Sequence, residues 1–151
     1  DVFATAITYG AKVEDLFYLD LAYAPPFSTT KDPVLYTGMI LENAIHGGRP
    51  LMTAQELLAR TEAGEPVTII DTRAPAQYEK AHVEGAISIP LSELRAAIES
   101  LDKDAVTVTY CNKGVTGNAA QNILLLNGFK HVYNLSGGMN QYRMVKNSRK
   151  R

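Results

Sequence analysis

The sequence contains a single cysteine and only three histidines among its 151 residues. One cysteine cannot form an internal disulfide, so we expect a reducing, cytoplasmic setting. The histidines, His46, His82 and His131, lie far from one another and from Cys111 along the chain. The sequence therefore lacks the close spacing of ligands that is typical of a metal site, and we expect no bound metal.

The sequence also lacks a strong net charge and a long apolar run. Its formal net charge is −1 at pH 7, so the balance of charges attracts neither nucleic acid nor an anionic membrane. No apolar run has the length of a membrane span. The chain opens on Asp1 without a basic-then-apolar leader, and we expect it to be a piece of a longer polypeptide.

A linker at residues 47–50 divides the sequence into two parts, because Gly47, Gly48 and Pro50 cluster there. Residues 1–46 contain two predicted helices, DVFATAITYGA and DPVLYTGMILENAI, with a Pro-rich segment between them. A piece of this size buries little apolar surface by itself. We therefore expect it to pack against protein outside this sequence or against a second copy of the chain.

Residues 51–151 alternate between strand and helix patterns. A capping box at Thr53–Glu56 predicts a helix that ends near Ala63, and Ser92 is the predicted cap of a later helix. The predicted strands are VTII, AISI, AVTVTY and VYNL. Strands that alternate with helices predict an α/β fold with a mainly parallel sheet and helices on both faces. The basic end of the chain, KNSRKR, is predicted to be disordered.

The one cysteine lies in the turn YCNKGVTGN, directly after the strand AVTVTY and before a helix. Ligands bind at the carboxyl ends of parallel strands. The N–H groups of such a turn and of a helix N-terminus stabilise an anion and lower the pKa of a thiol. We therefore expect Cys111 to be a partly exposed nucleophile with a lowered pKa. A cysteine buried as a small apolar side chain is the alternative.

Three blocks follow one another in the second part: IIDTRAPAQYEKAHVEGAISIP, the strand–cysteine–loop–helix segment, and NLSGGMNQY. In this order and spacing they resemble a rhodanese homology domain from about Leu51 to Val145. The resemblance implies that Cys111 accepts a sulfane sulfur as a persulfide and passes it to a nucleophile. The loop that would bind the anionic sulfur through its N–H groups consists of Asn112, Lys113, Gly114, Val115, Thr116 and Gly117.

The loop departs from the rhodanese pattern in its charge. The family often has Arg at the second and sixth loop positions, which are Asn112 and Thr116 here. Lys113 is the loop's only cation, and lysine lacks the bidentate grip of arginine. We therefore expect a thiol-borne persulfide to be a better donor than thiosulfate.

A non-catalytic rhodanese-like binding or regulatory module is the alternative to a sulfurtransferase. A cysteine phosphatase is less favoured, because Gly117 stands where those enzymes carry their cation.

Asp71 and Arg73 follow the strand VTII directly. We expect them to form an ion pair that orients the loops, and Arg73 is also a candidate contact for an anionic substrate. His82 is interpreted as a hydrogen-bonded structural residue, since nothing in the sequence makes it the base for Cys111.

The first part carries the segments DVFATAITYGAKVEDL and DLAYAPPFSTTKDPV. They resemble the C-terminal end of the dimerisation domain of flavin-dependent pyridine nucleotide–disulfide oxidoreductases, in the coenzyme A-disulfide reductase and NADH oxidase-like branch. Some of those enzymes carry a C-terminal rhodanese domain. The resemblance implies a homodimeric parent protein that uses FAD and NAD(P)H, in which Tyr23 comes near the flavin–cysteine site of the partner subunit. No G-x-G-x-x-G pattern occurs in these 151 residues, so we expect the cofactors on domains outside this sequence.

Overall fold

The structure is a computed structural model, and it describes residues 1–19, 21 and 32–149. The chain divides into two compact units, Asp1–Gly48 and Arg49–Arg151. Tyr23 and most of the Pro-rich segment lie outside the described residues, so the role predicted for Tyr23 stays a prediction.

The first unit is helical where it is described. Its elements are α1 (Val2–Thr8), a 3₁₀ turn (Glu14–Phe17) and α2 (Pro33–Ile45). Asp32 caps α2, since its carboxylate accepts a hydrogen bond from the Leu35 N–H at 2.8 Å, and Pro33 occupies the first turn as predicted.

Much of the apolar surface of the first unit is exposed. Leu16 and Val34 are buried. The large apolar side chains that are exposed among its described residues are Phe3, Ile7, Tyr9, Tyr18, Leu19, Tyr36, Ile40, Leu41 and Ile45. Such a surface suits contact with other protein. The dimerisation role that the sequence predicts for this unit stays a prediction.

The second unit is built around a parallel sheet that has five strands within the described residues. The strands are β1 (Leu51–Met52), β2 (Val67–Asp71), β3 (Ile87–Ser88), β4 (Val106–Tyr110) and β5 (His131–Leu135). Their spatial order is β1-β5-β4-β2-β3, and neighbouring strands are parallel.

Helices alternate with these strands along the chain. They are α3 (Ala54–Glu62), α4 (Pro75–Lys80), α5 (Leu94–Ala97, continued by a 3₁₀ turn at Ile98–Ser100), α6 (Val115–Leu126) and α7 (Gly138–Ser148). The predicted capping box at the start of α3 is present, with the Thr53 N–H donating to the Glu56 carboxylate at 2.7 Å.

The sheet is buried on both faces, because successive residues of a strand point to opposite sides. Ile69 and Val108 belong to a core on one face that includes residues of α3 and α7. Ile70 and Val132 belong to a second core on the other face, with residues of α5 and α6. The predicted α/β fold, with a parallel sheet between helices, is confirmed.

The strand order places a crevice between β2 and β4. The chain leaves β2 toward β3 on one side and leaves β4 toward β5 on the other. Asp71 pairs with Tyr110 in the sheet register, so both strands end at the same level. Ligands bind outside the carboxyl ends of strands at such a reversal of strand order. Cys111 and Arg73 lie just beyond it.

Two features of this unit differ from the sequence analysis. The strand β1 was not foreseen, because two residues are too few for a periodic pattern. Ser92 does not cap a helix: the Pro90 carbonyl accepts from Glu93 and Leu94 in a turn, and α5 starts at Leu94 without a side-chain cap.

The basic end of the chain is also ordered through residue 149. It continues α7, because Lys146 pairs with Glu84 and Arg149 pairs with Glu62. Among the helices that the structure describes, none is both long enough and apolar enough to span a lipid bilayer.

Candidate active site

Cys111 is the first residue after β4, and the loop that follows folds back over its sulfur. The Gly114 N–H donates to Sγ at 3.1 Å. The residue is 7% exposed, so the prediction of a partly exposed thiol is wrong. The turn covers the side chain with the same backbone that hydrogen-bonds it.

The pKa of Cys111 results from two opposed effects. Burial by itself raises it, because a thiolate is stabilised by water. The Thr116 hydroxyl and the backbone N–H groups of Gly117, Lys113 and Gly114 favour the thiolate, and together they lower the pKa below its ordinary value. The direction agrees with the sequence prediction. Lys113 contributes through its backbone N–H, and the contribution of the Thr116 hydroxyl was not foreseen.

Two glycines allow the loop to take this shape. Gly114 has φ +113°, a conformation that side chains with a Cβ rarely adopt. At Gly117 a Cβ would lie 2.5 Å from Asn134 Oδ1 and 3.0 Å from the Tyr110 Cα. The first turn of α6 therefore rests directly on β4 and β5. No side chain fits at Gly117, so the loop has no room for a cation at the position where cysteine phosphatases carry one.

Side chains from the sheet hold the loop carbonyls on the side away from the sulfur. The Asn134 amide donates to the Gly114 carbonyl at 3.1 Å, and the Thr109 hydroxyl donates to the Gly117 carbonyl at 2.8 Å. Both side chains are buried. These two bonds hold the start of α6, and with it the end of the loop, against the sheet. The sequence pattern did not single out either residue.

The start of α7 holds the first two carbonyls of the loop. The Met139 N–H donates to the Cys111 carbonyl at 2.8 Å, and the Asn140 N–H donates to the Asn112 carbonyl at 3.1 Å. A Cβ on Gly138, whose φ is +56°, would overlap the Cys111 carbonyl oxygen. The Gly–Gly pair was recognised in the sequence only as part of a resemblance. In the structure it lets a helix N-terminus lie against the peptide group of Cys111.

Asp71 and Arg73 form the expected ion pair at the end of β2. The Arg73 Nη2 lies 2.6 Å from Asp71 Oδ2, and the Tyr110 hydroxyl donates to the same carboxylate at 2.7 Å. Burial by itself raises the pKa of Asp71, but these hydrogen bonds outweigh it and hold that pKa below its usual range. The carboxylate therefore stays ionised in the core.

Arg73 also connects this pair to the loop. Its Nη1 donates to Asn112 Oδ1 at 3.2 Å and its Nη2 donates to the Ala81 carbonyl at 2.7 Å. The side chain is buried, and Asp71 and Ala81 occupy much of its guanidinium. This geometry favours the loop-orienting role over direct contact with an anionic substrate.

The remaining candidates lie outside this arrangement. His82 stacks on Tyr78 with 4.0 Å between ring centroids, and its Nδ1 lies 2.9 Å from the Tyr78 carbonyl oxygen. These are structural contacts. Lys113 and Val115 are exposed at the outer face of the loop. Within residues 1–19, 21 and 32–149, no group of three or more His, Cys, Asp or Glu side chains is arranged to hold a metal ion.

The contact between Gly138 and the loop leads to a prediction about stability and reactivity. Gly138→Ala is expected to cost about 2–5 kcal/mol of unfolding free energy, from the strained backbone and the overlap with the Cys111 carbonyl. It is also expected to slow alkylation of Cys111 at fixed pH. Gly128→Ala is the matched control, because Gly128 has φ +87° with nothing within 4 Å of the added Cβ. The control is expected to lose about 1–2 kcal/mol and keep the alkylation rate. If Gly138→Ala and Gly128→Ala changed the unfolding free energy and the alkylation rate equally, the contact between Gly138 and the Cys111 carbonyl would be contradicted.

The hydrogen bonds to the sulfur lead to a second prediction. Alkylation of Cys111 followed against pH is expected to show a midpoint below the free-cysteine value of about 8.5, because the N–H groups and Thr116 favour the thiolate. The same protein in denaturant supplies the reference, since unfolding removes the loop. A midpoint in the folded protein equal to or above that in denaturant would show that burial prevails.

The comparisons with known proteins agree with this site. The family model described as "Rhodanese-like domain" matches residues 53–144. The thiosulfate sulfurtransferase PspE of Escherichia coli is 42% identical over 79 residues, which are 51% of this chain and 75% of that protein. The thiosulfate sulfurtransferase GlpE of Coxiella burnetii is 30% identical over 77 residues, which are 51% of this chain and 72% of that protein.

Two solved structures resemble nearly the whole chain. The reduced CoADR-RHD of Bacillus anthracis matches with a TM-score of 0.87 and 36% identity over 99% of this chain. The NAD-dependent persulfide reductase of A. fulgidus matches with a TM-score of 0.77 and 34% identity over 94% of this chain. The chain spans 26% and 25% of those proteins, respectively. The residues that match the family model include the whole site. Over residues 53–144, this chain therefore belongs to the rhodanese-like domain family.

Proposed function

We propose that this chain is a rhodanese-type sulfurtransferase module that carries sulfane sulfur as a persulfide on Cys111. The observation that carries the proposal is the set of hydrogen bonds to the sulfur, with the Gly114 N–H at 3.1 Å, at the carboxyl edge of the sheet. These hydrogen bonds favour the thiolate, which is the form that attacks. A cysteine that served packing alone would not need them.

The reaction that fits this site has two transfers of one sulfur atom. The Cys111 thiolate attacks the outer sulfur of a donor persulfide, the donor's sulfur–sulfur bond breaks, and the donor thiol leaves with the bonding electron pair. The new persulfide on Cys111 is then attacked at its outer sulfur by an acceptor nucleophile, and the Cys111 thiolate leaves. The loop N–H groups stabilise the negative charge on the cysteine in both steps.

The charges around the loop indicate the class of donor. Lys113 is exposed at the loop, whereas Arg73 is buried and held by Asp71. Thr116 supplies a neutral hydroxyl where an arginine fork would hold a sulfur oxyanion. We therefore propose a thiol-borne persulfide, such as that of glutathione or coenzyme A, as the preferred donor. Thiosulfate is the competing donor, because two relatives are named thiosulfate sulfurtransferases.

We further propose that the chain is the end of a longer, homodimeric, cytoplasmic flavoenzyme of the coenzyme A-disulfide or persulfide reductase type. Three observations support this proposal. The two solved structures match nearly the whole chain and are about four times as long. The first unit exposes apolar side chains, which would be covered if further domains or a second subunit packed against them. The sequence lacks a G-x-G-x-x-G pattern, so FAD and NAD(P)H would be bound by other domains, which would reduce the sulfur that Cys111 delivers.

A non-catalytic binding or regulatory module is the alternative function. It shares the fold and the intact loop, and differs in that Cys111 never takes up sulfur. A cysteine phosphatase is disfavoured, because the space at Gly117 excludes the cation that would bind phosphate.

The donor proposal predicts how sulfur transfer to cyanide responds to the donor and to residue 116. Glutathione persulfide is expected to support faster turnover than thiosulfate in the unchanged protein. Thr116→Arg is expected to raise thiosulfate turnover about ten- to a hundred-fold, because a charged donor then holds the sulfur oxyanion. Thr116→Gln is the matched control, since it removes the same hydroxyl and adds length without charge.

Three outcomes separate the alternatives. If thiosulfate is the better donor and Thr116→Arg matches Thr116→Gln, the donor class is wrong and the sulfurtransferase activity stands. If no donor supports turnover in the unchanged protein, the regulatory module is favoured. If Cys111→Ser retains turnover with any donor, the nucleophile is wrong.

A further inference from the structure

Thr72 brings a second hydroxyl next to that of Thr116. It is the first residue after β2 and is 4% exposed. Its Oγ1 lies 3.2 Å from the Thr116 Oγ1, on the first turn of α6. The Thr116 hydroxyl is in turn one of the groups that lower the pKa of the Cys111 thiol. The two hydroxyls thus lie side by side between the buried end of β2 and the loop that carries Cys111.

The hydrogen of the Thr72 hydroxyl has two possible acceptors, the Tyr110 carbonyl and the Thr116 Oγ1. That carbonyl accepts from the Thr72 N–H at 2.9 Å and also from the Thr72 Oγ1 at 2.9 Å. When the hydroxyl turns toward Thr116, the Tyr110 carbonyl still accepts from the Thr72 N–H. The Thr72 hydrogen can therefore point to the Thr116 Oγ1, and the single Thr116 hydrogen is then available for the sulfur.

The charge on the sulfur decides which direction the hydrogens take. A thiolate is a charged acceptor, and hydrogen bonds to charged groups are roughly twice as strong as those between neutral groups. Donation from Thr72 to Thr116 polarises the Thr116 hydroxyl and strengthens its bond to the thiolate. When Cys111 is a neutral thiol, the chain can reverse, with Thr116 donating to Thr72 and Thr72 to the Tyr110 carbonyl. Because the charged arrangement has the stronger bonds, the chain favours the thiolate.

We propose that Thr72 is a positioning residue of this site, which holds the Thr116 hydroxyl so that it donates to the sulfur of Cys111. The inference depends on the proposed function only in taking Cys111 as the nucleophile. In this role Thr72 acts through Thr116.

Charged groups near the site do not change in the variants that test this role. Lys113 lies in the loop, Asp71 and Arg73 form their ion pair at the end of β2, and the Tyr110 hydroxyl donates to Asp71. Thr72→Val removes one hydroxyl and preserves the branched shape of the side chain. A change in the pH profile of Cys111 would therefore report the hydroxyl.

The test is the midpoint of Cys111 alkylation against pH in the full chain. Thr72→Val is expected to raise that midpoint by roughly 0.4–1 unit, the equivalent of one neutral hydrogen bond. Thr72→Ser keeps the hydroxyl and is expected to have the same midpoint as the unchanged protein. Thr107→Val is the matched control, because Thr107 is 1% exposed near the other end of β4 and its hydroxyl bonds the Ala105 carbonyl. It is expected to lose stability without moving the midpoint.

A double variant tests whether Thr72 acts through Thr116. Thr116→Val by itself is expected to raise the midpoint, and adding Thr72→Val is expected to move it no further. An unchanged midpoint in Thr72→Val, an equal shift in Thr107→Val, or an additive shift in the double variant would each overturn the proposal. Alkylation requires no sulfur donor, so this result is independent of whether the chain transfers sulfur.

Discussion

The hydrogen bonds that converge on the sulfur of Cys111 are the interaction on which the site depends. A thiol buried as deeply as this one would be protonated and unreactive if burial acted alone. The N–H groups of the loop reverse that effect while keeping the sulfur covered. The same covering that excludes water strengthens each of these hydrogen bonds, because the surroundings have a low dielectric constant. The loop backbone thus supplies both the shielding and the charge stabilisation.

The fold maintains that loop from three directions. The Asn134 and Thr109 side chains fix two glycine carbonyls from the sheet. The start of α7 fixes the carbonyls of Cys111 and Asn112. Arg73, held by Asp71, reaches Asn112 from the end of β2. Each contact bonds the loop by its carbonyls or by Asn112, so that N–H groups of the loop are available to the sulfur.

The position of the loop in the sheet explains how such distant residues meet. β2 and β4 are neighbours, and the chain leaves them in opposite directions. The residues just after both strands therefore share one crevice, although Thr72 and Thr116 are 44 positions apart. The direction of the strands and the helix N-termini at this edge support the proposed binding of a charged sulfur compound there.

The sequence predicted the fold class and the position of Cys111 in a turn at the end of a strand, because these signals are local. The capping box at Thr53, the β-branched strand VTVTY and the strand–cysteine–glycine turn each lie within a few residues. The sequence could not predict that Thr72, Thr109 and Asn134 contact the loop, because a buried polar residue in or beside a strand does not reveal its partner. The covering of Cys111 and the ordered end of α7 were missed for a related reason, since both arise from contacts between segments distant in the chain.

The most direct test of the account is the intact mass of the protein after incubation with glutathione persulfide and removal of the donor. The account predicts a gain of one sulfur atom on the unchanged protein, located on Cys111 by peptide mapping and lost on addition of cyanide. Cys111→Ser, treated in the same way, is expected to gain nothing. A protein whose Cys111 stays unmodified while its alkylation midpoint is lowered would contradict the account, because a reactive thiolate would then be present without accepting sulfur.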